Sequence, residues 1–202
     1  MAKIKLTKNE LKAQRDALKR FSRYLPTLQL KKQQLQMEAQ RIRGEYLALE
    51  REAEQYTGQV DDWIQLLDQG SAARLGEILE VEELVTDTRN VAGVDVPVFE
   101  ELRFRQQPFD LFLEPLWYDD VIKAARQIVE HRIRLQILDR QRQAIEDELL
   151  TTTQRVNLFE KVKIPEAREN IRRIQIFLGD EQTAAVGRAK IAKRKTQELE
   201  TV

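Results

Sequence analysis

The sequence contains no cysteine and a single histidine, His131, and these shortages exclude several kinds of site. Without cysteine there is no disulfide framework, no thiolate nucleophile and no cysteine-ligated zinc. One histidine makes a histidine-rich metal site or a Ser–His–Asp triad improbable. None of the seven glycines precedes a lysine, so the Walker A phosphate loop is missing. We therefore expect no catalytic site, no metal site and no cofactor.

Glycine, proline and aromatic residues are also scarce, whereas charged residues make up 34% of the chain. This composition favours long helices with one narrow apolar stripe, because the other helix faces need charged side chains. No run approaches the roughly 18 apolar residues of a membrane-spanning helix. Lysine plus arginine and aspartate plus glutamate number 34 each, so net charge alone indicates neither a nucleic-acid partner nor an anionic membrane partner.

Apolar residues repeat every seven positions through the first quarter of the chain. The repeat continues for about seven heptads without a change of register, which predicts a long coiled-coil helix. Pro26 lies inside the pattern; we interpret it as a kink, and the alternative is two helices that meet at Leu25. The predicted core positions of this helix are Leu11, Leu18, Leu25, Leu28, Leu35, Ile42 and Leu49.

A second heptad pattern begins near Trp117 and continues toward the C-terminus. Its phase advances by one residue around Pro165, which predicts a local change of helical winding. From Ala185 onward alanines thin the stripe, so the last turns are expected to fray or to need an outside partner. His131 lies on the apolar seam, where a core or buried-polar role is expected. The predicted core positions are Leu135, Leu149, Val156, Ile171 and Leu178.

The residues between the two patterns contain most of the turn-forming residues. After Asn90 and Gly93, β-branched residues alternate with polar or turn residues from Val94 to Val98, which predicts a short β-hairpin near 84–104. Because a compact segment separates the long helices, they must be antiparallel if they pair within the chain.

The predicted fold is therefore mostly α, with a long antiparallel two-helix coiled coil. Residues 1–56 and 117–202 form its helices, and residues 57–116 form a middle segment of short helices and the hairpin.

Charge is distributed unevenly along the chain. Acidic residues concentrate in the middle segment, whereas basic residues concentrate at both ends, which would lie together in an antiparallel pair. A solvated helix face is the ordinary interpretation of such runs, and no aromatic platform for nucleic acid is interleaved. The basic tip, as we call this cluster, consists of Lys3, Lys5, Lys8, Arg188, Lys190, Lys193, Arg194 and Lys195.

Three segments carry a family resemblance. They are the basic opening Lys5–Leu11, the run Asn90–Pro97 and the stretch Thr153–Pro165, which Arg172 and Arg173 follow. Together they resemble the D subunit of V-type and A-type ATPases and ATP synthases, the rotor axle of the central stalk. The resemblance covers essentially the whole chain.

The resemblance implies a non-catalytic subunit that couples ATP synthesis or hydrolysis to ion transport. Both termini would enter the cavity of a hexamer of catalytic A and non-catalytic B subunits, at whose interfaces ATP reacts. The middle segment, residues 57–116, would form the foot of the axle, which would bind the F subunit of the stalk and the adaptor of the membrane ring. As part of this complex, the chain would be peripheral on the cytoplasmic face of the membrane, with no nucleic-acid partner and no direct membrane insertion.

Two surfaces are expected to contact these partners. The basic tip would seat the axle in the hexamer cavity, which acidic or carbonyl groups would line. The F subunit would bind the hairpin and the adjoining helix through Val94, Val96, Phe99, Leu102 and Phe104.

Two other kinds of protein have similar patterns. A coiled-coil stalk of a secretion or flagellar export ATPase usually lacks a hairpin insert, and a coiled-coil scaffold more often forms parallel dimers. An F-type rotor subunit has a larger insert than residues 57–116 allow. An enzyme is the least supported alternative.

Overall fold

The computed structural model describes residues 4–64, 79–105 and 118–200. Two long helical regions flank a two-stranded antiparallel hairpin, which confirms the mostly α fold with a central hairpin. The short helices predicted for the rest of the middle segment fall on residues 65–78 and 106–117, outside the described residues. In chain order the elements are α1 (Lys8–Ile64), β1 (Val81–Val91), β2 (Val94–Phe104), α2 (Tyr118–Asn157), a π-helical turn (Leu158–Lys163) and α3 (Ile164–Glu200).

Helix α1 begins at a capping sequence and continues beyond residue 56, where the sequence placed its end. The Thr7 hydroxyl accepts the backbone N–H of Glu10 at 3.3 Å, which satisfies one of the free donors of the first turn. Pro26 lies within the helix. The alternative of two helices that meet at Leu25 is therefore wrong.

The chain divides into two compact units. The first combines residues up to 31 with residues from 151 onward. There the rings of Phe21 and Phe159 lie 5.2 Å apart, and the Asn170 amide donates to Gln14 Oε1 at 3.5 Å. Because later residues of the C-terminal region meet earlier residues of α1, the helices of this unit are antiparallel.

The π-helical turn explains the phase shift in the heptad pattern. Val156 and Ile164 are both buried although they are eight residues apart, one more than a heptad. The wider turn absorbs this extra residue, as the Ile164 N–H bonds to the Phe159 carbonyl five residues earlier. Pro165 follows immediately; it has no N–H to donate to an α-helical turn. The predicted change of winding near Pro165 is confirmed.

The second unit, residues 32–150, contains the hairpin and its own apolar core. Leu35 and Ile42 of α1, Val96 of β2 and Ile145 of α2 are fully buried together. Further along, the Tyr56 ring meets the His131 imidazole edge-on at 5.8 Å, so α1 and α2 are antiparallel here as well.

The predicted core positions differ in burial. Leu35, Ile42 and Val156 are buried, and the other nine are half-buried. The sequence reasoning omitted Ile137, Gln141 and Ala167, which are buried. Beyond Leu178 helix α3 is exposed on all its faces, because every residue from 179 to 197 except Gly187 is exposed.

Candidate partner-binding surfaces

The inner face of the hairpin packs on the helices of its own unit. Val96 is fully buried, and Val94 packs against the same core. The Arg134 guanidinium lies 4.7 Å from the centre of the Phe99 ring, and Arg126 lies 5.3 Å from that of Phe104. These cation–π contacts and the apolar core hold β2 against α2.

Four of the five hairpin residues predicted to bind the F subunit thus contact their own unit, and the fifth, Leu102, lies opposite Leu84 in the hairpin. Val96 has no exposed surface, and Val94, Phe99, Leu102 and Phe104 are half-buried. A partner that binds this hairpin must reach mainly its other face, its edges or its charged side chains.

A polar contact fastens the middle of β2 to α2. The buried Gln141 side chain donates from Nε2 to the carbonyl oxygen of Pro97 at 2.5 Å. The Gln141 amide is the buried partner, and a buried amide without its acceptor would cost about 1–3 kcal/mol. Gln141 lies one helical turn from Ile137 and from Ile145. The sequence alone could therefore have shown a polar residue within an apolar stripe, but it could not have shown that the Pro97 carbonyl is its acceptor.

An ion-pair network fastens β1 to α1. Glu38 keeps only 17% of its side-chain exposure and accepts hydrogen bonds from Arg41 at 2.6 Å and from Arg89 of β1 at 3.1 Å. The hydrogen bond from Arg41, together with the charges of Arg41 and Arg89, lowers the pKa of the Glu38 carboxyl against the opposing effect of burial. Arg41 also bonds to Glu45.

The hairpin carries an excess of negative charge. Arg103 pairs with Glu83 of β1 at 2.9 Å and with Glu101 of its own strand at 3.0 Å. Arg105 pairs with Glu80 at 2.9 Å where the two strands end. These pairs are exposed, so each contributes little to stability. They nevertheless leave an acidic surface, because more carboxylates than guanidinium groups line the strands.

The basic tip lies in the first unit, and its described members are exposed. Asn170 is level with Gln14, only six residues from the start of α1, whereas α3 continues for 30 residues to Glu200. At 1.5 Å per residue, Lys193 lies roughly 35 Å beyond this level along α3 and Lys8 only about 9 Å along α1. Lys3 lies outside the described residues. The exposed members are Lys5, Lys8, Arg188, Lys190, Lys193, Arg194 and Lys195.

The exposed end of α3 also presents apolar side chains. Val186 retains 56% of its exposure and Ile191 retains 54%. Together with the basic residues around them, they form a mixed apolar and cationic surface, which we call the α3 extension (residues 179–197). It is a candidate contact surface for a larger partner.

Other kinds of site receive no support from the described parts of the chain. Within residues 4–64, 79–105 and 118–200, no group of three or more histidine, aspartate or glutamate side chains could hold a metal ion. No helix in the same ranges has the length and hydropathy needed to cross a bilayer. His131 retains 14% of its side-chain exposure, with Tyr56 and Glu52 beside it.

The model of one protein family, described as the D subunit of ATP synthase, matches residues 10–194. This match covers both long helical regions and the hairpin. The chain belongs to the family of ATP synthase D subunits.

Curated relatives support the same assignment over nearly the full length. The D subunit of the V-type ATP synthase of Borreliella burgdorferi is 44% identical over 193 residues, which are 96% of this chain and 95% of the relative. Proteins of the same description from Chlamydia pneumoniae and Chlamydia muridarum are 31% and 32% identical. Those two alignments cover 96% and 98% of this chain and 93% and 98% of the relatives. As a member of this family, the chain is therefore similar to its relatives in length as well as in sequence.

Proposed function

We propose that this chain is the rotor axle of the central stalk in a V-type ATP synthase or ATPase. It would couple ATP synthesis or hydrolysis in a hexamer of A and B subunits to ion transport through the membrane ring. ATP would react at interfaces of the hexamer and not on this chain. The main support is the match to the family of D subunits together with antiparallel helix pairing in each of the two units.

The proposed partners are assigned to different surfaces. The basic tip and the α3 extension would enter the hexamer cavity, because their described residues are exposed except Gly187 and no described residue of α1 lies level with the end of α3. The F subunit of the stalk would bind the hairpin and the adjoining helix in the second unit. The ring adaptor would hold the foot, so that the chain is peripheral at the cytoplasmic face of the membrane.

An asymmetric axle can select states of a hexamer by differential contact. When three catalytic interfaces surround one asymmetric pair of helices, each interface meets different side chains. Rotation of the axle then changes which interface is favoured in its open form. This mechanism needs shape and stiffness from the chain, and it needs no catalytic group.

Rotation can be tested directly, because the chain has no cysteine and a single introduced one gives one labelling site on this chain, which can be labelled before assembly. Glu82→Cys places the label on an exposed position of β1. With the hexamer fixed to a surface, a particle attached there should rotate in one direction when ATP is added. ATP hydrolysis with a stationary particle on an intact complex would contradict the axle proposal. A particle attached to the fixed hexamer is the control.

A further inference from the structure

We propose that the outer edge of β1 is a strand-addition site for an extended, basic segment of a protein partner. In this mode of recognition a partner strand pairs with the backbone of an exposed sheet edge. The site is independent of rotation, and it adds an interaction surface to the hairpin that the residues packed on the helices do not supply.

The two edges of the hairpin differ in what they offer to a partner. On β2, Pro97 has no N–H to donate, and its carbonyl already accepts the hydrogen bond from Gln141. A proline at an edge is a common protection against further pairing. Strand β1 contains neither proline nor lysine, and from Val81 to Asn90 all its residues except Val85 are exposed. With respect to residues 4–64, 79–105 and 118–200, the β1 edge is therefore the open one.

The turn determines which backbone groups of β1 point outward. Ala92 and Gly93 form a two-residue turn with positive φ values of 51° and 83°, so the flanking pair Val91–Val94 exchanges both backbone hydrogen bonds. Because hydrogen-bonded and non-hydrogen-bonded pairs alternate, the N–H and C=O groups of the intervening β1 residues point away from β2. These residues are Thr86, Thr88 and Asn90.

These outward groups have few partners within the described chain. The Asp87 carboxylate accepts the Thr88 N–H at 2.7 Å, an exposed local contact that an incoming strand can displace. Apart from the hydrogen bonds between β1 and β2, the backbone hydrogen bond described for the hairpin joins the Arg105 N–H to the Glu80 carbonyl. It lies at the far end of the hairpin and does not involve Thr86, Thr88 or Asn90. The regular stretch from Thr86 to Val91 lies beyond both irregularities in register. A straight, regular edge is the geometry that strand addition needs.

The chemistry of the hairpin indicates the occupant. Along the regular stretch of the open edge, the outward-pairing residues Thr86, Thr88 and Asn90 have short polar side chains, and the exposed apolar residues of β1, Val81 and Leu84, lie before the irregularity in register. This stretch therefore offers a partner little apolar contact. Affinity must come from backbone pairing and charge. Seven carboxylates and three guanidinium groups occupy residues 79–105, which favours a basic segment and disfavours pairing with a second copy of the same acidic edge. The carboxylates are Glu80, Glu82, Glu83, Asp87, Asp95, Glu100 and Glu101.

Hydrogen exchange in the assembled ATP synthase and in the free chain tests the proposal. We expect the amides of Thr86 and Asn90 to exchange at least about tenfold more slowly in the assembled complex, because partner carbonyls would accept them. Equal exchange in both samples would overturn the proposal. If the edge is not protected but the chain assembles and rotates, strand addition is wrong and the axle function stands. If the edge is protected but the chain does not rotate, the axle function is wrong and strand addition stands.

Substitutions at Thr88 separate backbone pairing from side-chain contact. Thr88→Pro removes the outward donor opposite Pro97 without removing a bond to β2, and it should abolish the protection at Thr86 and Asn90. Thr88→Val keeps the N–H and should preserve the protection. Equal loss in both variants would indicate a side-chain contact and refute strand addition. Circular dichroism checks that each variant is folded.

Two variants of opposite charge at Thr88 give a second test that does not depend on proline. Thr88→Lys should weaken the protection by opposing a basic strand, and Thr88→Glu should retain it. A peptide of alternating lysine and valine should slow exchange at the β1 edge of the free chain, whereas a glutamate–valine peptide should not. Equal effects of the two peptides, or concentration-dependent dimers of the chain, would contradict the basic-partner assignment.

Discussion

The Gln141 side chain of α2 donates a hydrogen bond to the backbone carbonyl of Pro97 on β2 over 2.5 Å. This contact joins two residues 44 positions apart, and both belong to the second compact unit. It satisfies a buried amide and protects one edge of the hairpin. The hairpin is thus held on the helices by a directional polar bond in addition to the apolar core around Val96.

Loss of this donor should destabilise the second unit. Gln141→Leu keeps a similar volume but leaves the half-buried Pro97 carbonyl without its donor, and we expect a loss of about 1 kcal/mol in the free energy of unfolding. Urea unfolding followed by circular dichroism measures it. Gln143→Leu, at an exposed position on the same helix, is the control and should change stability by less than about 0.5 kcal/mol. Equal effects would show that the bond contributes nothing specific.

The carboxyl of Glu38 should make stability depend on acid. Its pKa in the folded chain is lowered, so ionised Glu38 stabilises the fold above the ordinary glutamate pKa, and this contribution disappears as the pH falls through the lowered value. Glu38→Gln should therefore be less stable than the parent at pH 7, by about 1 kcal/mol, and the difference should shrink toward pH 3. Glu54→Gln, at an exposed position of α1, is the control. A difference that stays constant with pH would contradict this origin.

The π-helical turn should tolerate the removal of one residue. Deleting exposed Glu160 in a Pro165→Ala background lets the turn become α-helical while Val156 and Ile164 stay on one face. We expect the free energy of unfolding to remain within about 1 kcal/mol of the Pro165→Ala variant.

The control is deletion of exposed Arg168 in the same background. It rotates Asn170, Ile174 and Leu178 by about 100° away from α1, so it should cost several kcal/mol. Thermal unfolding compares the two deletions. Similar losses would show that the turn does not correct the heptad phase.

Two glycines should respond oppositely to alanine. Gly93 has φ 83°, so Gly93→Ala places a Cβ in a left-handed conformation at a cost of about 1–2 kcal/mol. Gly44 lies inside α1 with open space around its Cα, so Gly44→Ala should stabilise by about 0.5–1 kcal/mol. Chemical denaturation of both variants measures the difference in sign. Two shifts of the same sign would contradict the turn geometry.

Neutralising the basic tip should weaken assembly with the hexamer. Replacing Arg188, Lys190, Lys193 and Lys195 with glutamine removes four exposed charges, and we expect about tenfold weaker binding at low salt, with a smaller salt dependence than the parent. The control replaces four exposed basic residues elsewhere in the same unit, Arg155, Lys161, Arg168 and Arg172, with glutamine. Binding and salt dependence that match the parent would show that the tip does not seat the axle.

The heptad pattern carried most of the information about local structure. It predicted both long helices, because a stripe repeated every seven residues can be buried only along one helix face. It also located the change of winding near Pro165 to within a few residues, since an extra residue in a heptad must be absorbed somewhere. Alternating valines after Gly93 predicted the hairpin.

Other features depended on contacts between distant residues. The burial of Gln141 requires the carbonyl of Pro97, and the low exposure of Glu38 requires Arg89 of β1. The sequence assigned Val96 and Phe99 to a partner, whereas the fold packs the first in a core and the second under Arg134. A pattern of apolar residues shows which side chains seek burial but not whether their own chain or another one covers them.

By itself, then, the sequence determined the helices, the hairpin and the change of phase, because each depends on neighbours within a few turns of the chain. Within the part of the chain that the structure describes, the tertiary structure decided which face of the hairpin packs on the helices and which edge stays open. Those choices follow from the contacts between β2 and α2. Hydrophobic burial is not directional, so the orientation of the hairpin depends on a few directional hydrogen bonds and ion pairs.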